Sequence, residues 1–168
     1  MKPNHWKISK FDLIPWRKVK DWHCLNCGRC CFIFDIPIDS LDYHQIITKY
    51  GYNSIRTIND EWFLQRWDNY KCLFLEEKKN GGFCTIHEDR PYTCRVFPFV
   101  IRRNTDYGNL EFASLFYKKE TFCVYLTAEC PGIVLGEPSE TFKTKTIPEF
   151  MEIRLGNYLI KSTVQNTI

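Results

Sequence analysis

The sequence lacks a long apolar run, a strong excess of one charge and every common catalytic signature. Its 168 residues contain no stretch of 18 or more apolar positions, and the basic N-terminus has no apolar core of a signal peptide. We therefore predict a cytoplasmic protein without a membrane partner. The net charge of +3 gives no support for a nucleic-acid partner. Phosphate-loop, dinucleotide-binding, zinc-protease and serine-hydrolase motifs are missing, so the sequence does not decide whether the protein is an enzyme.

The composition is nevertheless that of a folded domain. Apolar residues make up 44% of the chain and aromatic residues 16%, which excludes intrinsic disorder. The distribution of charge, proline and cysteine predicts three segments. These are a basic aromatic arm over residues 1–22, a cysteine-cluster metal-binding domain over 23–135, and a C-terminal extension over 136–168 whose helix packs on the same domain.

Local patterns predict an α+β fold, in which a small antiparallel sheet and short helices are organised around a cysteine-ligated metal centre. Apolar spacing indicates a helix over 41–50, with Asp39 or Ser40 as its N-cap and Gly51 after its end. Residues 71–75 and 83–87 flank a glycine-containing turn and predict a hairpin. The other expected elements are strands at 32–37, 63–67, 96–101, 110–117 and 121–126, a helical turn opened by Pro91, and a closing helix headed by Thr146 that carries Phe150, Ile153 and Leu159.

Nine cysteines carry the strongest functional signal. A reducing cytoplasm keeps thiols unoxidised, so these cysteines indicate metal binding rather than disulfides. Cys24, Cys27 and Cys30 follow one another at C-x2-C spacing, which aims sulfurs from a tight turn at one point. Gly28 lies inside this run, where a positive φ turns backbone amides toward the sulfurs.

Cys31 directly follows Cys30, and neighbouring side chains of an extended chain point to opposite faces. This predicts two metal centres, or one polynuclear centre, rather than a single ion. Cys123 lies in an apolar strand and is expected to be a buried core thiol, while His23 and His87 are expected not to be ligands. The predicted metal ligands are the remaining eight cysteines: Cys24, Cys27, Cys30, Cys31, Cys72, Cys84, Cys94 and Cys130.

Both zinc and an iron-sulfur cluster suit such a ligand set. Six phenylalanines fall within five positions of a predicted ligand, and dry surroundings tune the potential of an iron-sulfur cluster. This favours iron-sulfur slightly over zinc. The six are Phe32, Phe34, Phe74, Phe83, Phe97 and Phe99.

The order of these motifs resembles that of the CxxCxxCC cysteine-cluster family, also called the YkgJ family, whose members are described as zinc- or iron-chelating domains. The family opening C-x-x-C-G-x-C-C is similar to residues 24–31, and its C-x-F-L is similar to residues 72–75. Its run C-x-I-[YFH]-x-x-R-P-x-x-C-R-x-F-P is similar to residues 84–98, and its terminal C-P-G to residues 130–132. The resemblance implies a metal site, including a [4Fe–4S] cluster as one form, carried by the eight cysteines.

The resemblance leaves the activity open. Flagellin lysine N-methylases, considered iron-sulfur enzymes that use S-adenosylmethionine, contain a related cluster. This chain is much shorter, and it lacks the C-x3-C-x2-C loop of radical adenosylmethionine enzymes. Three hypotheses follow: a metal-chelating cysteine-cluster protein, an iron-sulfur enzyme of methylase or oxidoreductase type, and a zinc-stapled module that binds protein or RNA through its basic arm.

Overall fold

The computed structural model describes residues 13–79, 81–103 and 109–156. These residues form short helices and small antiparallel sheets, which confirms the predicted α+β class. In that part of the chain no helix is long and apolar enough to cross a membrane. The strands and helices are β1 (Leu13–Pro15), β2 (Val19–Trp22), α1 (Arg29–Ile33), α2 (Ser40–Tyr50), β3 (Ile55–Ile58), β4 (Glu61–Leu64), β5 (Leu75–Lys78), β6 (Gly81–Cys84), α3 (Tyr92–Val96), β7 (Phe99–Arg102), α4 (Leu110–Ala113), β8 (Ser114–Tyr117), β9 (Glu120–Thr127), β10 (Ile133–Leu135) and α5 (Ile147–Arg154).

The chain divides into two compact units. One, here called the cysteine unit, comprises the described residues between 26 and 95. The other, here called the sheet unit, comprises the described residues of 13–25 and 96–156. The boundary between them passes through the cysteine run, between Leu25 and Asn26.

Strand β9 organises the sheet unit. It pairs in antiparallel fashion with β1, β7 and β8, with Leu126 opposite Phe99 and Cys123 opposite Ser114. Residues 122–127 of β9 are buried without interruption, which is typical of a strand covered on both faces. The main core is apolar and consists of Trp16, Val19, Phe99, Ile101, Phe122, Val124, Leu126, Phe142, Ile147, Phe150 and Met151.

A second sheet of the same unit joins β2 and β10. Trp22 lies opposite Ile133, and one residue further on the His23 amide donates to the Gly132 carbonyl over 3.3 Å. A Cβ at position 132 would lie 2.0 Å from the His23 carbonyl oxygen, so only glycine permits this approach. The pairing brings the Cys130–Gly132 turn beside the chain that leads into Cys24.

The cysteine unit contains the predicted central helix and hairpin. Helix α2 begins after Asp39, whose carboxylate accepts the Asp42 amide at 2.8 Å, and it ends at Gly51 with φ of 82°. Both of its predicted caps are confirmed. The predicted hairpin is confirmed as β5 and β6, although the paired strands lie closer to its turn than expected. Of the expected arms, only Leu75, Phe83 and Cys84 are paired. A second hairpin, β3 and β4, turns through Asn59 and Asp60, both at positive φ as a tight type I′ turn requires.

Several local predictions are wrong at least in part. The strand expected at 63–67 ends at Leu64, and the strand expected at 96–101 begins only at Phe99, since Val96 is helical. The expected strand at 32–37 is in part helix α1, because the left-handed Gly28 (φ 70°) precedes it and accepts the Cys31 amide at 2.9 Å. The first half of the expected strand at 110–117 is helix α4, whose carbonyl of Leu110 accepts the Ser114 hydroxyl at 2.6 Å.

The closing helix also begins earlier than Thr146. Its helical residues start at position 140, and the Ser139 hydroxyl accepts the Phe142 amide at 3.1 Å. Thr146 has helical dihedral angles and lies between a π-helical turn (Phe142–Thr146) and α5, so it caps nothing. The serine three residues before the apolar Phe142 is therefore the true start signal. Leu159, expected on the same helix, lies outside the described residues.

Candidate metal centre

The loop that contains Cys27 rests on two glycines of strand β6. The Gly82 amide donates to the Asn26 carbonyl over 2.7 Å. A Cβ at Gly81 would lie 2.7 Å from that carbonyl oxygen, and a Cβ at Gly82 would lie 3.0 Å from the Cα of Gly28. Only a strand without side chains admits the loop so closely, and the same strand continues into Cys84.

Helix α1 carries Cys30 and Cys31 with their sulfur atoms 4.0 Å apart. The expectation that these side chains point to opposite faces is wrong, because the two residues are helical rather than extended. The Cys31 carbonyl accepts the Cys72 amide at 3.0 Å, so Cys72 is placed directly beside this helix.

Two further thiols join the same apolar cluster. Cys72 is only 6% exposed, and the partly buried Cys31, Cys84 and Cys94 pack against the cluster that contains it. Cys84 is brought in by its pairing with Leu75, whose amide donates to the Cys72 carbonyl over 3.1 Å. The structure thus gathers five of the predicted ligands in the cysteine unit: Cys30, Cys31, Cys72, Cys84 and Cys94.

Helix α3 positions Cys94, and the buried Asp42 holds this helix. Its carboxylate accepts the Tyr92 amide at the first residue of α3 over 2.8 Å and lies 3.9 Å from the Arg95 guanidinium. Pro91 precedes the helix as predicted, and the Thr93 hydroxyl donates to the Pro37 carbonyl at 2.9 Å. Charge, hydrogen bonding and a fixed proline φ therefore orient this short helix.

The five thiols influence one another electrostatically. Burial, followed by the negative charges of Cys30, Cys72 and Cys84, raises the pKa of Cys94 well above its usual value of 9.0. Burial likewise raises the pKa values of Cys72 and Cys84. The hydrogen bond from Cys31 lowers the pKa of Cys30 to about 7 and raises that of Cys31. Several thiolates at this place therefore require a compensating positive charge.

Arg90 supplies part of that charge. Its positive charge contributes to the lowered pKa of Cys30 and opposes the rise in the pKa of Cys84 and of Cys94. Its Nε donates to the His87 carbonyl at 2.9 Å. Sequence reasoning did not assign it a role, although it precedes proline in the run that leads to Cys94. One guanidinium cannot balance five thiolates, so the donor set suits a thiophilic metal of higher charge.

Sequence reasoning also missed an ion-pair network that contacts the end of α1. The Asp35 carboxylate accepts from Arg66 Nη1 at 2.9 Å and forms an ion pair with Arg56. Arg66 also donates to the Phe32 carbonyl at the end of α1. The three residues are far apart in sequence, so no local pattern could reveal this anchor.

The thiols are near one another without forming a finished coordination shell. Within the residues that the structure describes, no three His, Cys, Asp or Glu side chains have the arrangement of a metal site. All nine cysteines are thiols rather than disulfides. Thiol ligands suit zinc or iron. The side chains would reach their final coordination geometry only when a metal binds.

The other three predicted ligands do not belong to that apolar cluster. Cys27 is exposed in the loop of the cysteine unit, whereas Cys24 and Cys130 belong to the sheet unit. Cys123, 2% exposed in β9, is the buried core thiol that its apolar surroundings predict.

The predicted phenylalanine shell is only partly assembled. Phe34 and Phe74 pack in the apolar cluster of the five thiols. Phe32 and Phe83 are 39% and 48% exposed, and Phe99 belongs to the core of the sheet unit. The apolar surroundings of the thiols come instead from Ile36, Ile38, Ile46, Leu64, Leu75 and Ile86.

The fold and the gathered thiols define a cysteine-cluster α+β protein of the metal-chelating class. Residues 23–131, about two-thirds of the chain, match the family model CxxCxxCC, "Putative zinc- or iron-chelating domain". The chain belongs to this family. No curated protein and no solved structure matches it significantly.

Proposed function

We propose that the protein binds a zinc or iron centre through cysteine thiolates, with an iron-sulfur cluster such as [4Fe–4S] as the preferred form. The proposed ligands are Cys24, Cys27, Cys30, Cys31, Cys72, Cys84, Cys94 and Cys130. The observation that carries the proposal is that four of them belong to or border one apolar cluster, with the sulfur of a fifth, Cys30, 4.0 Å from that of Cys31.

The number of thiols favours a polynuclear centre. A structural zinc ion takes four ligands and an iron-sulfur cluster is usually held by four cysteines. Cys30, Cys31, Cys72, Cys84 and Cys94 exceed that number within the cysteine unit alone, and Cys27 lies in the same unit. More than one metal ion can therefore be served without a histidine.

The chain's own residues give such a centre its setting. Arg90 offsets thiolate charge, Asp42 fixes the helix that carries Cys94, and the glycine pair of β6 admits the Cys27 loop. A bound cluster would supply one-electron redox chemistry, and bound zinc would supply structural cross-linking. Because such thiols must stay reduced, the proposal includes a cytoplasmic location.

The deciding experiment is anaerobic purification of the full chain, followed by measurement of iron, zinc and acid-labile sulfide per chain and of the visible spectrum. Iron and sulfide in near-equal amounts with broad brown absorption would establish an iron-sulfur protein. Colourless protein with one or more zinc ions would establish a zinc protein.

A matched pair of variants assigns the metal to the proposed thiols. Cys94→Ser should lower the metal content, because it removes a proposed ligand. Cys123→Ala should leave the metal content unchanged, because this thiol lies in the core of the sheet unit. Wild-type protein without zinc or iron, or equal metal content in Cys94→Ser and wild type, would count against the proposed function.

A further inference from the structure

A tryptophan of the sheet unit donates a hydrogen bond to one of the proposed ligands. Trp22 is the last residue of β2, and its indole Nε1 lies 3.3 Å from the Cys130 sulfur. An indole nitrogen can only donate, so the sulfur is the acceptor. The contact therefore holds the Cys130 sulfur in one direction relative to the indole ring.

Packing and backbone pairing fix the position of the indole. Its ring stands edge-on to Phe99 and Phe150, at centroid distances of 5.6 and 5.2 Å. Both phenylalanines are buried. The pairing of Trp22 with Ile133 holds the two backbones together, and the hydrogen bond from the His23 amide to the Gly132 carbonyl extends this pairing by one residue. The fold of the sheet unit therefore fixes the indole N–H of Trp22 within hydrogen-bond distance of the Cys130 sulfur.

We propose that Trp22 is a positioning residue for Cys130, because its indole N–H orients the Cys130 sulfur for metal binding. Hydrogen bonds to the atoms that ligate a metal orient them and tune the metal, and their loss commonly lowers metal affinity. This inference rests on the proposed function, because it requires that Cys130 is a ligand. It adds a residue that carries no metal-binding atom and lies just outside the residues that match the family model.

The test is a double-mutant cycle in the full chain, with zinc affinity measured by competition with a chelator. Trp22→Phe keeps an aromatic ring but removes the N–H, and Cys130→Ala removes the sulfur. The matched control is Trp16→Phe, which removes an indole N–H that donates to the Ser114 carbonyl at 3.3 Å in the same unit. Circular dichroism of each metal-free variant reports whether it is folded.

We expect Trp22→Phe to weaken zinc binding on the order of 10-fold. In the Cys130→Ala background the same substitution should have no further effect, because the acceptor is gone. Trp16→Phe should leave zinc affinity unchanged. A cobalt-loaded sample gives a second readout, since the sulfur-to-cobalt charge-transfer band should shift in Trp22→Phe and not in Trp16→Phe.

The outcomes separate this inference from the proposed function. Unchanged affinity in Trp22→Phe would overturn the inference, and so would an equal loss in both backgrounds, which would show a merely structural role. Wild-type affinity in Cys130→Ala would also overturn it while leaving a centre on the other thiols intact. Failure of the wild-type chain to bind zinc, cobalt or iron would overturn the proposed function itself.

Discussion

The two units form their cores in different ways. The sheet unit closes a large apolar cluster around β9, with Phe99 stacked on Phe150 at a centroid distance of 3.9 Å. The described strands of the cysteine unit form only two-stranded hairpins, and four cysteines belong to or border its apolar cluster. Isolated hairpins are marginally stable, whereas a sheet with a buried face is stable by itself. We therefore predict that the stability of the cysteine unit depends on what its thiols bind, whereas that of the sheet unit does not.

The largest expected effect is the response to metal removal. Chelation, or Cys94→Ser, should lower the free energy of unfolding of the cysteine unit by several kcal/mol, because zinc binding supplies roughly 10 kcal/mol or more of folding energy in small metal domains. Hydrogen exchange followed by mass spectrometry should show lost protection in β3 to β6 and retained protection in β7 and β9.

The control for this effect is Cys123→Ala. It removes a thiol from the sheet unit and should leave the chelation response unchanged, although the small cavity costs some stability. Equal loss of protection in both units after chelation would refute the difference between their cores.

The second effect tests the apolar core of the sheet unit. Phe150→Ala removes a buried ring that contacts both Phe99 and Trp22, and should cost about 3–5 kcal/mol. Phe116→Ala is the matched control, because this phenylalanine of the same unit is 73% exposed and its loss should have little effect. A similar drop in melting temperature for both variants would contradict the assignment of the core.

The sequence could predict the parts of this comparison that depend on short-range patterns. Asp39 and Gly51 delimit α2, and the glycine pair near residue 80 marks the hairpin of β5 and β6. Caps, tight turns and C-x2-C loops are each determined within a few residues.

The parts that failed depend on longer-range structure. Helix α1 follows a loop that packs against the glycines of β6, about fifty residues later in the chain, and no pattern within residues 24–33 specifies that contact. The division of the cysteines between two units follows from which strands pair, and periodicity within a segment does not specify its partner. The cap from Asp42 was missed for the same reason, since it accepts the amide of Tyr92, fifty residues later. The effect of Arg90 on Cys30 likewise joins residues distant in sequence.

A smaller effect is expected at Asp42, which supports the helix of Cys94. Asp42→Ala leaves the Tyr92 amide without its acceptor and should cost about 1–3 kcal/mol, together with weaker metal binding. Asp42→Asn keeps an acceptor oxygen and should lose less of both. Denaturant unfolding and chelator competition on the two variants measure this difference. Equal metal affinity for Asp42→Ala and wild type would show that this cap does not help to position Cys94.

The smallest expected effect concerns Glu149 of the sheet unit. Its Oε1 is buried without a hydrogen-bond partner, and burial raises the pKa of its carboxyl above the usual 4.5, against a weaker opposing effect of Lys145. The folded state therefore binds this proton more tightly than the unfolded state, and the resulting stability is lost as the pH rises from about 4.5 through the raised pKa.

Glu149→Gln removes this dependence and should become more stable than wild type toward neutral pH, by less than about 1 kcal/mol because the side chain is only partly buried. Urea unfolding of the metal-free chain between pH 4.5 and 7 measures the effect, with the exposed Glu137→Gln as the control. The prediction fails if the stability difference between Glu149→Gln and wild type stays constant over this range. The Glu149 carboxyl would then not make the stability of the sheet unit depend on pH, and apolar packing alone would determine the stability of that unit's core.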